Sequence, residues 1–400
     1  MACNFDWKYD EKLKTDLDKY VLQNFRKSEI LDFVKRDYLE YPWSTATLSR
    51  RLRHFDIKYI DYETPLEAVT EVVSKELDGP GRCLGYRALN QKLRTVHNIK
   101  VPRHLVYNVL TEMNPDGLEA RAVEKKIKRK KIPFTSEGSL WLASLDGHDK
   151  LCGYQNWTFP LCIYGCLDTF SRKIMFLFVS HSNSNPLIVG EKYLEYLTKH
   201  QIMPRFLRLD KGTETGKMSA VHAFLIDKAG IMDDPVDSII YGPSTSNKIE
   251  RWWRDLHERF EQYFKEHLAY LLQRRHYDPH NVLDRQLMVY IFIPVIQREC
   301  NIFVSNWNTH RIREQKNLKL LTGIPNHMFS FPEKYGGTQS GIPVSCEQLR
   351  EVAEVLGLLD SVPQNVDLRV RRECERLLPD PSGLESNRVT EAYIFLKQSL

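Results

Sequence analysis

Long hydrophobic runs are missing from this 400-residue chain. The longest, residues 287–296, is interrupted by Pro294 and falls short of the roughly 18 apolar residues that a membrane span requires, so no membrane association is expected. The opening MACNFDWKYD carries Asp6, Lys8 and Asp10 and no apolar stretch, so a secretory leader is not expected either and the chain reads as intracellular. Cysteine doublets at zinc spacing are also lacking. The eight cysteines, at 3, 83, 152, 162, 166, 300, 346 and 374, are scattered through every region, which argues against a disulfide framework and against a closed zinc site. Cys162 and Cys166, the tightest pair, lie inside an apolar segment and read as small core side chains. Internal repeats and low-complexity tracts are absent, which excludes solenoids and propellers.

What is present is an ordinary globular composition, 42% hydrophobic and 27% charged, with 11% aromatic residues. At this length two to four domains are expected. The net charge of +5 is unevenly placed. Residues 79–132 hold 13 basic and 4 acidic side chains, while residues 1–78 sum to −3 and residues 133–400 to −1. A block of that sign is the footprint expected for phosphate contacts, and also of a solvated face or a localisation signal.

The first third reads as short helices. In YPWSTATLSRRLRHFDI, Ser44 or Thr45 supplies an N-cap, Leu48, Leu52 and Phe55 share one face, and Arg50, Arg51 and Arg53 fall on others. A helix-turn-helix reader and a plain three-helix bundle both fit this pattern. A second unit follows. Leu66, Val69, Val73 and Leu77 form a stripe ended by Gly79-Pro80-Gly81, then come a basic helix at 85–96 and a helix opened by Pro102 and stopped by Asn114-Pro115-Asp116-Gly117. Arg103, His104 and Asn108 on that last helix are candidates for groove contact. The linker VEKKIKRKKIP brings Lys125, Lys126, Lys128 and Arg129, as a phosphate clamp, an import signal or a solvated linker.

From Ser139 the texture changes. Segments 139–146, 160–170 and 172–180 read as three strands, 186–200 as a helix, 205–210 as a strand, 218–230 as a helix closed by glycine, and 238–241 as a short strand. A long helix from about Lys248 to His267 presents Ile249, Trp252, Trp253, Leu256, Phe260 and Phe264 on one stripe. This order is that of an RNase H-like sheet. Asp146 and Asp210 close strands, and Glu250 stands on the first turn of the long helix. Carboxylates converging at a sheet edge suit hard divalent cations, Mg²⁺ or Mn²⁺, and phosphoryl transfer. Each acid taken singly also fits a turn or helix-cap role.

The segments LDGHDKL (145–151), IYGCLDTFSRKIMFLFV (163–179), LRLDKGTET (207–215) and YGPSTSNKIERWW (241–253), with FVSNWNTHRIR (303–313) and TGIPNHMF (322–329), resemble the retroviral-integrase-like DDE superfamily, and more closely eukaryotic transposon-derived proteins with an integrase core domain. GYRAL and MNPDGLEAR resemble the DNA-binding region preceding that core. The resemblance implies an acidic triad of Asp146, Asp210 and Glu250 binding two Mg²⁺ or Mn²⁺ ions. It also implies DNA end processing with strand transfer, double-stranded DNA as transposon ends and target, a homo-oligomer and a nuclear location. Asp168 in LDTFSR is read as part of a structural hairpin. Ser244 and Asn247 precede the glutamate helix, where Thr245 or Ser246 is an N-cap candidate. Lys211 departs from the asparagine that many integrases carry after the second aspartate, and no His-His-Cys-Cys module precedes the core. The expected fold class is α/β: an RNase H-like integrase catalytic core preceded by helical helix-turn-helix domains and followed by a helical tail. Expected boundaries are 1–62 and 63–122 for the two helical domains, 123–135 for the basic linker, 136–272 for the core and 273–400 for the C-terminal region. Within the last, 287–308 reads as a buried helix kinked at Pro294, with further helices near 346–358 and 388–398. The alternative function is a host-recruited, catalytically silent DNA-binding or assembly protein that retains this fold.

Overall fold

The computed structural model describes residues 7–120, 136–148, 151–182, 184–210, 212–242, 249–314, 321–358 and 366–400. The chain divides into two compact units, residues 1–133 with 306–327, and residues 134–305 with 328–400. The boundary expected at 62/63 falls inside the first unit, and part of the region expected as a C-terminal tail belongs to that unit as well.

The first unit is helical: α1 (Glu11–Leu22), α2 (Lys27–Asp37), α3 (Thr45–His54), α4 (Leu66–Leu77), α5 (Tyr86–His97), α6 (Arg103–Met113) and α7 (Pro115–Ala120). Ser44 caps α3 in a capping box with Thr47, which satisfies donors that a helix start leaves open. Val69, Val73, Leu89, Leu93, Val106 and Leu110 form the core under α4–α6. Leu66, expected on that stripe, is 51% exposed. The Asn114-Pro115 stop is brief, because a proline is tolerated at the first helical position and α7 begins there.

Long-range polar contacts join these helices. Arg94 on α5 donates to the Val21 carbonyl at 2.6 Å and the Tyr59 carbonyl at 2.8 Å, so its guanidinium satisfies acceptors at the C-terminal end of α1. Lys100 lies 2.8 Å from Asp18. Glu76, buried, receives Lys92 and His97, each at 2.7 Å. The helix expected to be basic at 85–96 therefore keeps Lys92 and Arg94 inside.

The second unit is built on a five-stranded sheet of β1 (Leu142–His148), β2 (Cys162–Asp168), β3 (Ile174–Ser180), β4 (Phe206–Leu209) and β5 (Ile239–Tyr241), in the order β3-β2-β1-β4-β5. The first three strands are antiparallel, and β1-β4-β5 run parallel. The crossovers are the helices that parallel pairing requires, α8 (Pro186–His200) and α9 (Gly216–Ala229). The strand and helix order matches the expectation, with ends shifted by at most three residues.

The hairpin between β2 and β3 is fastened by Asp168, which is fully buried and accepts hydrogen bonds from Leu140 N–H, Ser171 N–H and the Ser171 hydroxyl. Cys162 and Cys166 lie buried in β2 as core thiols.

On the sheet, α10 (Ile249–Leu256) continues through a π-helical turn, His257–Glu261, into α11 (Gln262–Gln273). The helix expected to end at 267 is thus longer and carries a π turn. The helix α12 (Val282–Thr309) runs through Pro294 without a break. It is long and apolar enough to cross a membrane by length and composition alone, yet Leu287, Ile291, Phe292, Val295 and Ile296 on it are all fully buried in the fold. Helices α13 (Pro325–Ser330), α14 (Cys346–Val355), α15 (Leu368–Leu377) and α16 (Val389–Ser399) follow. The tail is not purely helical, since two-residue strands at Thr338–Gln339 and Ile342–Pro343 pair with Gly138–Ser139 and Ile202–Met203.

Candidate active site

The pairing of β1 with β4 decides where two of the acidic residues meet. Leu142, Ala143 and Ser144 stand opposite Phe206, Leu207 and Arg208. Two residues past the last of these pairs, Asp146 on β1 and Asp210, the first residue after β4, lie at the same end of the two neighbouring parallel strands. Burial falls off along β1 from Asp146 onward, so this pair lies where the strands leave the core.

The third acidic residue, Glu250, is the second residue of α10. That helix reaches the sheet because β2 carries Gly165, the residue paired with Asp146. A Cβ on Gly165 would meet Leu177 at 2.9 Å, Trp253 at 3.0 Å and Ile249 at 3.2 Å, so the glycine lets α10 lie directly over the strand. Ile249 and Trp253, which flank Glu250 on the helix, make that contact. The side chain of Glu250 is outside the description, as are Lys211 and residues 243–248, where Ser244, Thr245, Ser246 and Asn247 fall.

The two described carboxylates differ in surroundings. Asp146 Oδ2 accepts from the Trp253 indole N–H at 2.9 Å. Asp210 Oδ1 is buried and meets no hydrogen-bond partner among the described residues. Burial raises the Asp210 carboxyl above its ordinary range, with nearby Arg208 pulling the other way. A buried, unpartnered carboxylate oxygen beside a second carboxylate is a costly arrangement for the apo protein, and the all-oxygen donor set fits a hard divalent cation. Tyr164, fully buried, has its hydroxyl raised well above the usual value by burial first and then by Glu214, Asp146 and Asp210. Those three carboxylates therefore lie within electrostatic reach of one buried hydroxyl. Glu214 is the acid that sequence reasoning missed. Its carboxylate lies over Gly212, where a Cβ would come within 2.2 Å of it, and the DKGTE spacing was the signal available. Among the described residues no cluster of three His, Cys, Asp or Glu forms a ready metal site.

The residues expected to contact DNA separate into three groups. Arg50 on α3, and Arg103 and Asn108 on α6, are exposed. Beside Arg103, a shallow depression is lined by Tyr86, His104 and Tyr107. Arg51 is a correction: it is 3% exposed, with its guanidinium 4.0 Å from the Trp43 ring centre, 5.0 Å from Tyr41 and 5.2 Å from Trp7. This aromatic enclosure holds the cation through the ring faces and removes it from the surface. Lys125, Lys126, Lys128 and Arg129 lie outside the described residues.

Residues 134–329 match the family model described as Integrase core domain. That match covers the sheet, both described aspartates and α10, and supports a protein of the retroviral-integrase-like DDE superfamily. Its members are polynucleotidyl transferases that generally use divalent metals and bind DNA. No curated protein matches the chain.

Proposed function

We propose that the protein is a divalent-metal-dependent integrase or transposase that processes DNA ends and joins them to target DNA, with Asp146, Asp210 and Glu250 as its catalytic carboxylates. The observation that carries the reading is the position of Asp146 and Asp210 at the same end of two parallel strands, together with the partnerless buried oxygen of Asp210. The integrase core domain match supports an integrase- or transposase-like function in general. In this reading the three carboxylates hold Mg²⁺ or Mn²⁺, which when bound supplies charge neutralisation at the attacking and leaving oxygens of the phosphodiester.

The chain's own residues do the rest. Parallel pairing of β1 and β4 fixes the spacing of the two aspartates, and Gly165 sets the depth of the helix that bears Glu250. Arg50, Arg103 and Asn108, with the run Lys125–Arg129, bind the DNA backbone. Two copies acting on two ends, in the nucleus, complete the proposal.

Incubation of the full chain with supercoiled plasmid and with duplexes bearing the repeats that flank its coding region, in Mg²⁺ or Mn²⁺, tests this. Nicked and joined products are expected from the wild type and none from Asp146→Asn, Asp210→Asn or Glu250→Gln. Products that persist in all three variants would contradict the assignment.

A further inference from the structure

Behind Asp146 lies a chain of side chains that the proposed chemistry does not use. The Trp253 indole, 4% exposed, donates to Asp146 Oδ2. Its ring is stacked on the His148 imidazole, with centres 5.0 Å apart and planes 17° from parallel. His148 Nε2 in turn lies 2.8 Å from Glu261 Oε1. Glu261 has no solvent exposure, and its other oxygen receives Cys152 N–H at 3.1 Å and His257 Nδ1 at 2.8 Å. Gln262 Nε2, 2.7 Å from His257 Nε2, fixes that second ring.

This is an expensive construction to leave without a purpose. Burial pushes the Glu261 carboxyl up, and the close approach of the His148 imidazole together with the hydrogen bond from His257 outweighs it and holds the group below its ordinary range. A buried carboxylate so held is an anchor. It sits in the π turn that interrupts the helix bearing Glu250, and π turns recur at functional sites. The anchor reaches Asp146 by one ring stack and one hydrogen bond. Supporting partners of this kind orient ligating carboxylates, and their loss costs about 10–100-fold in metal affinity.

We propose that Trp253 and Glu261 are positioning residues for Asp146: the indole N–H sets the carboxylate's orientation, and Glu261, through His148, sets the indole. The inference rests on the reading of Asp146 as a metal-holding carboxylate.

Two measurements on the full chain test it. In ¹⁵N-labelled protein without metal, the Trp253 indole resonance, assigned by its disappearance in Trp253→Phe, is expected to move in Asp146→Asn and again in Glu261→Gln. Mn²⁺ titration is expected to show an affinity about tenfold weaker in Trp253→Phe, which keeps a ring in the core and removes the donor, and a smaller loss in Glu261→Gln, with unfolding temperatures near the wild type. A Trp253 resonance indifferent to Asp146→Asn, or wild-type Mn²⁺ affinity in Trp253→Phe, would overturn the proposal alone. Wild-type protein that takes up no Mn²⁺ would overturn the catalytic reading and this proposal with it.

Discussion

In the helical unit, Glu76 sits buried between Lys92 and His97, Arg94 is held by backbone carbonyls, and Arg311 grips both oxygens of Glu29 at 2.8 and 2.6 Å. At the edge of the core sheet, Asp210 keeps a buried oxygen that no described residue satisfies. Both regions take charge out of water, and the ion pairs of Glu76 and Glu29 are closed within the chain while the Asp210 oxygen is not. For Glu76, Glu29 and Arg94, which serve the fold, the partners are present in the same chain. Where, in the function proposed above, a charge serves chemistry, its partner comes from outside the chain.

The largest expected effect lies on the side of the fold. Glu76→Gln leaves Lys92 buried without its counter-ion and should destabilise the protein by about 3–4 kcal/mol, read from chemical unfolding. Burial raises the Glu76 carboxyl, but hydrogen bonds from His97 and the charge of Lys92 prevail and lower it below its ordinary 4.5. A lowered folded-state value stabilises above the unfolded value and is lost as pH falls through the folded one. The gap between wild type and variant should therefore be full above about pH 5 and close in more acidic solution. A gap that persists unchanged at acid pH would show that the pair does not govern stability there.

Gly165→Ala should cost about 1–3 kcal/mol by overpacking against Leu177, Trp253 and Ile249. It should also reduce strand transfer more than that loss of stability explains, because it lifts α10 from the strand carrying Asp146. Retained activity in a destabilised variant would separate the helix position from the site. Arg51→Met should cost about 1–2 kcal/mol, as a desolvated cation leaves its aromatic enclosure, with DNA affinity unchanged. A large loss of affinity would return Arg51 to the DNA-binding surface.

The smallest stability effect, within about 0.5 kcal/mol, is expected for Arg50→Ala and Arg103→Ala. These should instead flatten the fall of log affinity with log salt by about 0.9 for each phosphate no longer neutralised. An unchanged slope would leave DNA binding to the run at 125–129.

Much of the core was legible because its signals are local. Alternating and apolar runs marked the strands, Gly230 ended α9, and Asp146 and Asp210 were read at strand ends. The tight turn near Ser171 between β2 and β3 was readable for the same reason, while the structural role of Asp168 came from the family resemblance. The charges were not readable. Lys92, Arg94 and Arg51 look in sequence like any exposed basic residue on a helix, and their burial depends on Glu76, on Val21 and Tyr59, and on Trp7, Tyr41 and Trp43, which helix periodicity does not reveal. The same holds for Trp253, read as a core aromatic, and for Glu261. Their link to Asp146 exists because helix and sheet pack across Gly165, bringing together residues far apart in the chain.

Thermal unfolding of wild type and Asp210→Asn, with and without Mn²⁺, tests the central contrast most directly. Burial raises the folded-state value of Asp210, so its charge opposes folding at neutral pH, an effect that fades as pH falls through the raised value. The variant should unfold at a higher temperature than the wild type without metal, and Mn²⁺ should stabilise the wild type while leaving the variant unmoved. A variant less stable than the wild type in the absence of metal, or stabilised equally by Mn²⁺, would contradict the account.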